Sequence, residues 1–225
     1  MGKSVSISTE NFIKAIYNSE NREGGDTKPG SIARELGVTS AAATDMARKL
    51  AVKKLIEYKK YKELKLTPAG RKMALGIIRK HRLWETFLHE VFGLTMYEVH
   101  REAEMLEHLT SDFLAEKMSL YLGNPSTDPH GDPIPSEHGE VLSDDCCVTL
   151  AVAEPGQEYQ ISRLSANDKE FFDFCLSNHM VVGSTVAVKK QYDKSSMTEI
   201  EVSSIRLLLN AELANSIYVS KTVRK

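Results

Sequence analysis

The chain has 225 residues, of which 41% are hydrophobic and 27% are charged, and its formal net charge at pH 7 is −2. This length and composition are typical of a soluble globular protein with one large domain or two to three small ones. No apolar run reaches the roughly 18 residues of a membrane span, and the N-terminus lacks the apolar core of a signal peptide. We therefore expect a cytoplasmic protein without a membrane partner.

Charge is distributed unevenly along the chain. From Arg48 to Arg82 there are 13 Lys and Arg residues and two acidic residues, whereas from Leu83 to Glu140 there are 12 acidic residues and two basic ones. The stretch between His81 and His138 also holds six of the seven histidines. A basic block favours binding to a polyanion, whereas an acidic block rich in histidine favours binding to a cation.

The first third of the chain has the pattern of a winged helix-turn-helix. A helix is predicted over 8–19, and a short helix over 31–36 stops at Gly37. The four-residue turn GVTS, residues 37–40, then leads into a second helix that runs to about Ala51. Apolar and polar residues then alternate over 55–66, which indicates a two-stranded wing. The alternative is a plain helical hairpin followed by a solvated hairpin.

The second helix of such a motif presents its N-terminal turn to the major groove, and lysines at the wing tip contact phosphates. Ala41 and Ala42, in the first turn of this second helix, offer only methyl contacts to thymine. We expect the following residues to contact DNA: Thr39, Ser40, Ala41, Thr44, Asp45, Arg48, Lys49, Lys59, Lys60 and Lys62.

The middle of the chain is predicted to be helical and to bind metal. One helix is predicted over 68–92 and a second over 95–122. At about 100° per residue, His100, Glu104, Glu107 and His108 share one face of the second helix, and His81 and Glu85 share a face of the first. Imidazole and carboxylate ligands without thiolate suit Mn, Fe(II), Co, Ni or Zn. Burying these groups without a cation would cost several kcal/mol, so a metal ion explains their presence in a helical core.

Beyond a Pro- and Gly-rich segment, six short strand-like runs and one helix over 168–176 predict a small SH3-like barrel. The fold class is therefore mainly α with a small β domain. We expect three domains, over 1–73, 74–140 and 141–225.

The motifs HRLWETFL, VHREAEMLEH and DPHGDPIP, in this order after the helix-turn-helix and wing, resemble the diphtheria toxin repressor family. This family of metal-dependent regulators includes iron-dependent regulators and manganese transport regulators, and the resemblance covers essentially the whole chain. It implies a DNA-binding domain, a helical domain for metal binding and dimerisation, and a C-terminal SH3-like (FeoA-like) domain. It also implies a homodimer that binds a palindromic double-stranded DNA operator when metal is loaded.

The resemblance further implies two metal sites. The primary site would consist of Glu104, Glu107 and His108, completed by Asn11 or by the neighbouring Glu10. The ancillary site would consist of His81, Glu85 and His100, joined in longer manganese regulators by Asp128, His130 and either Asp168 or Glu170. Iron-responsive relatives carry Cys where this chain has Glu104. The set of oxygen and nitrogen ligands therefore favours Mn(II), with Fe(II) as the alternative and other divalent metals as substitutes.

Two other functions are alternatives to a metal-dependent repressor. A helical metalloenzyme would need a general base or nucleophile beside its metal, and no Ser/His/Asp or HExxH arrangement supplies one. The other alternative is a protein that binds metal and other proteins but not DNA. Such a protein would not need the excess of basic residues between Arg48 and Arg82. We expect a repressor of metal-uptake genes and not an enzyme.

Overall fold

A computed structural model describes residues 6–22, 24–60, 62–141, 147–165 and 168–221. The chain divides into two compact units, and the division falls inside three helices. The first unit comprises Met1–His81, Glu104–Lys117 and Pro135–Val141, and the second comprises Arg82–Ala103, Met118–Ile134 and Leu142–Lys225. The three domains expected from the sequence stay a prediction. In the described part of the chain, no helix is long and apolar enough to cross a membrane.

The first unit begins with three helices and a two-stranded wing, as the sequence predicted. They are α1 (Ile7–Asn21), α2 (Pro29–Glu35), α3 (Ser40–Val52), β1 (Ile56–Glu57) and β2 (Lys65–Leu66). The Thr39 side chain caps α3 by accepting a hydrogen bond from the amide of Ala42. β1 and β2 pair antiparallel. Tyr61, at the predicted wing turn, lies outside the described residues.

The core of this motif is formed by one face of α1 and by the inner faces of α2 and α3. Phe12, Ile13 and Ile16 are buried with Ile32 and Leu50. Burying one such side chain contributes about 1.5–3 kcal/mol. On α1 these three core residues fall in a single arc, so the opposite face of the helix is available for polar groups.

The middle helices differ from the prediction at one point. α4 (Pro68–Phe92) matches the predicted long helix, but the second predicted helix is two helices, α5 (Met96–Leu106) and α6 (Asp112–Tyr121), with a 3₁₀ turn, Glu107–Leu109, after α5. Thr110 has an extended backbone, and the Ser111 side chain accepts a hydrogen bond from the Leu114 amide, which starts a new helix. The expected single helical face of His100, Glu104, Glu107 and His108 is therefore wrong, because the last two lie in the 3₁₀ turn.

The second unit contains a six-stranded antiparallel sheet. Its strands, all six of which the sequence predicted, are β3 (Cys147–Thr149), β4 (Glu158–Leu164), β5 (Thr185–Tyr192), β6 (Met197–Val202), β7 (Ile205–Leu209) and β8 (Ile217–Lys221), in the order β3-β8-β4-β5-β6-β7. α7 (Lys169–Ser177) is the predicted helix. The short helix α8 (Ala211–Ser216) was not predicted. Residues 142–146, at the start of the predicted C-terminal domain, lie outside the described residues.

The DPHG segment lies directly against β4. The carbonyl of His130 accepts a hydrogen bond from the Leu164 amide, 2.8 Å away. Gly131 follows with a φ of +88°, and a Cβ atom there would lie 1.9 Å from the carbonyl oxygen of Ser162. Only glycine fits this approach, because any side chain would collide with the strand backbone. The position of the segment is therefore fixed by the sheet.

We expect Gly131→Ala to destabilise the protein. The substitution adds a steric clash with Ser162 to the cost of a positive φ, so we expect a loss of about 1–3 kcal/mol beyond the φ cost alone. Gly156→Ala is the matched control, because Gly156 has a φ of +80° and no heavy atom within 4 Å of the place that a Cβ atom would take. Free energies of unfolding from denaturant titration measure both variants. Equal losses would contradict the close packing of this segment on β4.

Candidate metal centre

Seven polar side chains gather in the first unit, and we call them the first cluster. On α1, the polar cluster members fall within about 100° of arc, opposite the buried apolar face. The end of α5, the 3₁₀ turn after it and the middle of α4 supply the others. The members of the first cluster are Glu10, Asn11, Lys14, His81, Glu104, Glu107 and His108.

Glu107 is at the centre of this cluster and only 1% exposed. One of its carboxylate oxygens lies 2.8 Å from Lys14 Nζ, and the other lies 2.5 Å from His81 Nδ1. A buried carboxylate costs several kcal/mol unless it is paired and hydrogen-bonded. The lysine and the histidine therefore offset the burial of this charge.

Two buried atoms of the first cluster lack a hydrogen-bond partner among the described residues, namely Asn11 Oδ1 and His108 Nε2. His108 Nε2 lies 3.3 Å from Glu107 Oε1, but not in the geometry of a hydrogen bond. The other ring nitrogen of His108, Nδ1, lies 2.6 Å from Glu10 Oε2. This is the usual arrangement of a metal-ligating histidine, in which one nitrogen donates to a carboxylate and the other keeps its lone pair for the metal. An amide oxygen, an imidazole nitrogen and two carboxylates fit a divalent transition metal.

A second cluster of four residues lies in the second unit. Glu85 is 2% exposed, and its carboxylate lies 3.0 Å from His100 Nδ1 and 3.7 Å from His130 Nδ1. Single ligand atoms of Glu85, Asp128 and His130 all lie within 4.8 Å of one another, and all three residues are buried. Two carboxylates and one imidazole at this spacing also fit a divalent cation, and His100, which contacts Glu85, is a further candidate ligand.

The ionisation of the second cluster reflects its burial. Burial, reinforced by the charges of Glu85 and Asp132, raises the pKa of Asp128 to about 8. Burial alone would lower the pKa of His130, but the adjacent Glu85 carboxylate outweighs this effect and raises it. Asp128 therefore keeps its proton near neutral pH, and a cation bound at its carboxylate would displace that proton.

Two arginine side chains, those of Arg82 and Arg163, form ion pairs at the edge of the second cluster. Arg82 Nε lies 3.6 Å from Asp128, and Arg82 also donates a hydrogen bond to the carbonyl of Pro133. Asp132 forms ion pairs with Arg82 at 3.4 Å and with Arg163 of β4 at 3.5 Å. These pairs connect the loop that carries the candidate ligands to α4 and to the sheet.

The structure distributes the residues expected in metal sites between the two clusters. His81 contacts Glu107 in the first unit, whereas Glu85 and His100 contact each other in the second. Asp168 caps α7 by accepting a hydrogen bond from the Phe171 amide, 2.8 Å away. The neighbouring candidate, Glu170, is exposed in the first turn of the same helix.

The sequence patterns did not identify Lys14 as part of a site. Its Nζ lies 2.6 Å from Glu104 Oε1 and within 2.9 Å of both carboxylate oxygens of Glu107. The available signal was its spacing, because Lys14 follows Asn11 by three residues and so lies on the same face of α1.

The expected DNA-binding residues are accessible on α3 and the wing. All of them are exposed except Thr44, which is half-buried and donates a hydrogen bond to the Ser40 carbonyl. Asp45 pairs with Lys49 at 2.7 Å along the same exposed face. The opposite side of α3 packs in the core of the motif. The surface of the helix is therefore polar and basic where a nucleic acid could approach.

Three family models match successive parts of the chain. They describe the iron-dependent repressor N-terminal DNA-binding domain over 4–64, the iron-dependent repressor metal-binding and dimerisation domain over 67–136, and the FeoA domain over 148–221. The iron-dependent repressor IdeR of Mycobacterium leprae is 35% identical over 127 residues, a match that spans 56% of this chain and 55% of the relative. The chain thus matches about half the length of that protein. The diphtheria toxin repressor of Corynebacterium glutamicum is 26% identical over 97% of this chain and 98% of its own.

Solved structures of manganese-dependent repressors are similar over nearly the whole chain. A manganese-dependent transcriptional repressor in complex with manganese has a TM-score of 0.88 and 30% identity, covering 95% of this chain and all of its own. ScaR with bound Cd²⁺ has a TM-score of 0.81 and 32% identity, covering 95% of this chain and 99% of its own. These relatives are transcriptional repressors and not enzymes. The chain belongs to the iron-dependent repressor family of metal-dependent transcriptional regulators.

Proposed function

We propose that this protein represses transcription of metal-uptake genes when a divalent metal is bound, with Mn(II) as the preferred ion and Fe(II) as the alternative. The observation that carries this proposal is the pair of buried, unpartnered atoms, Asn11 Oδ1 and His108 Nε2, beside the carboxylates of Glu104 and Glu107. Leaving two buried acceptors without a partner costs about 1–3 kcal/mol each, a cost that a bound cation removes.

The donor set supports Mn(II). Oxygen and nitrogen donors without a thiolate suit harder divalent ions, and Glu104 supplies a carboxylate where iron-responsive relatives carry a cysteine. The likeness to a repressor solved in complex with manganese points the same way. The second cluster, with Glu85, His100, Asp128 and His130, is the candidate ancillary site.

The chain's own residues would couple this site to DNA through α1. Asn11 is on the polar face of α1, and the opposite face of the helix is buried in the core of the helix-turn-helix. Asn11 of α1 and Glu107 and His108 of the 3₁₀ turn would together hold the metal ion, which would supply positive charge to these ligands. The Glu10 carboxylate keeps the ring of His108 oriented. Fixing α1 in this way favours one arrangement of α3, and binding of metal and of DNA then reinforce each other.

The DNA contacts would come from the N-terminal half of α3 and from the wing. Ser40, Ala41 and Thr44 offer short side chains to base edges, and the lysines of the wing offer charge to phosphates. With so few side chains able to bond bases, recognition would depend strongly on DNA shape.

The proposed assembly is a homodimer on a palindromic operator. The first turn of α6 and the 3₁₀ turn before it expose large apolar side chains, with Leu109 82% exposed, Phe113 73% exposed and Leu114 43% exposed. Exposed apolar groups concentrated in one short segment are typical of a protein–protein interface. The match to a metal-binding and dimerisation domain over 67–136 supports this assignment.

Replacing Glu107 tests the proposed function. We expect Glu107→Gln to abolish the increase in affinity that Mn(II) gives for a duplex from the protein's own promoter region, because it removes a central carboxylate ligand. Fluorescence anisotropy under anaerobic conditions, with Mn(II) and Fe(II) titrated separately, measures this. Glu116→Gln is the control, since Glu116 is a partly exposed acid that pairs with Arg79 at 3.2 Å. Unchanged metal-dependent binding by Glu107→Gln would refute the site.

Substitutions on α1 identify the residue that completes the primary site. We expect Asn11→Leu to weaken Mn(II) binding by about 10–100-fold, because it removes the amide oxygen while preserving size. Asn11→Asp should strengthen binding by adding a charged ligand. Glu10→Gln should have a smaller effect, because its amide oxygen still accepts from His108. Isothermal titration calorimetry gives the dissociation constants, and a larger loss in Glu10→Gln than in Asn11→Leu would make Glu10 the ligand.

Neutralising the wing tests the phosphate contacts. We expect replacement of Lys59, Lys60 and Lys62 by alanine to weaken binding to all duplexes and to reduce the slope of log affinity against log salt by about one per lysine. The control replaces three exposed lysines of the second unit with the same change in net charge, namely Lys169, Lys190 and Lys194. Equal slopes in the two triple variants would mean that the wing does not contact the phosphates.

A further inference from the structure

Lys14 has an unusual position for a lysine on a DNA-binding domain. Its ammonium nitrogen lies 2.6 Å from Glu104 Oε1 and 2.8 and 2.9 Å from the two oxygens of Glu107. The Lys14 side chain is only 13% exposed, and that of Glu107 is fully buried. The three donors of the ammonium are thus directed at the two carboxylates.

These carboxylate oxygens are the same ones that the proposed function assigns to a metal ion. An oxygen that accepts a hydrogen bond from an ammonium at 2.6–2.9 Å has that cation where a metal ion would have to approach. Two positive charges separated by a few ångströms repel strongly in a partly buried site. Lys14 and a divalent cation therefore cannot both occupy this position.

The chemistry of the lysine side chain determines which other positions its ammonium group can take. Lysine carries a compact charge on a flexible four-carbon chain, so its ammonium can move to solvent without movement of the helix. The Glu107 carboxylate has no such freedom, because it is buried and needs a cation. If a metal ion replaces the Lys14 ammonium at Glu104 and Glu107, the negative charge of the buried Glu107 carboxylate therefore remains neutralised.

We propose that Lys14 is a tethered cation that competes with the metal ion for Glu104 and Glu107 and so sets the metal concentration at which the protein responds. This inference rests on the proposed function. In the absence of metal, Lys14 maintains a connection between α1 and the 3₁₀ turn. The measured affinity for metal is the intrinsic affinity reduced by the fraction of molecules in which the lysine is displaced.

A rival role for Lys14 predicts the opposite effect. A lysine that stayed beside the loaded site and oriented its carboxylates would be an outer-sphere partner. Loss of such a partner usually weakens metal binding by about 10–100-fold. The sign of the change on removing the charge therefore separates competition from support.

The first experiment measures metal binding by Lys14→Met with Mn(II) alone, using the electron paramagnetic resonance signal of free Mn(II). We expect the dissociation constant to fall about tenfold, comparable in size to the effects of other groups next to metal ligands. The thermal midpoint without metal should also fall, since Glu107 loses a cation. Lys14→Gln, which retains hydrogen-bond donors without the charge, should change affinity in the same direction and preserve folding better.

Lys80→Met is the matched control. Lys80 is also on the first unit, has a 19% exposed side chain and pairs with Asp112 at 2.8 Å, but Asp112 is 97% exposed. We expect its Mn(II) affinity to equal that of the unsubstituted protein. An equal gain of affinity in Lys80→Met would attribute the effect to general charge and overturn the proposal.

A second readout uses the unsubstituted protein. Reductive methylation followed by mass spectrometry reports how accessible each lysine amine is. We expect Mn(II) to increase the modification of Lys14 severalfold while leaving Lys80 unchanged, because displacement moves the Lys14 amine into solvent. Unchanged or reduced modification of Lys14, or an unchanged or weaker Mn(II) affinity in Lys14→Met, would overturn the competition. A different result would contradict the proposed function itself, namely equal Mn(II) binding by the unsubstituted protein and by Glu107→Gln.

Discussion

The buried carboxylate of Glu107 is the constraint on which much of the first unit depends. The residue is 1% exposed in a helical protein, and such burial of a charge is tolerated only when cations and hydrogen bonds surround the group. Lys14 and His81 both point at it, from α1 and from α4. Glu107 itself lies in the 3₁₀ turn that follows α5.

Under the proposed function, the same constraint would relate metal binding to DNA binding. α1 has two faces, an apolar one in the core of the helix-turn-helix and a polar one in the first cluster. Under this proposal, a cation that neutralises Glu107 would also act on α1, which packs against α3. A metal ion that differs from the lysine in charge, size and ligand preference would then change the stability of that arrangement, and such a difference would be the thermodynamic basis of a co-repressor.

The second cluster depends on the sheet. Asp128 and His130 are in a loop whose backbone is hydrogen-bonded to β4, whose Gly131 permits contact with that strand, and whose Asp132 pairs with Arg163. The sheet thus provides the surface that orders two candidate ligands. Burial raises the pKa of Asp128, whereas the neighbouring Glu85 carboxylate raises the pKa of His130 against the effect of burial.

The helix-turn-helix, the wing, α4 and all six strands of the sheet could be predicted from the sequence, because hydrophobic period, capping residues and glycines act locally. Helical spacing pointed to His81, Glu85, His100, Glu104, Glu107 and His108 as candidate ligands, whereas Glu10, Asn11, Asp128 and His130 were expected from the family resemblance, and Lys14 was not expected at all. The break between α5 and α6 could not, since Ser111 competes as a cap inside an otherwise helical pattern. Folding alone brings Lys14 to Glu104 and Glu107, about 90 residues away in the chain, and places His81 with Glu107. Such pairings arise from the packing of helices distant in sequence, which no local pattern specifies.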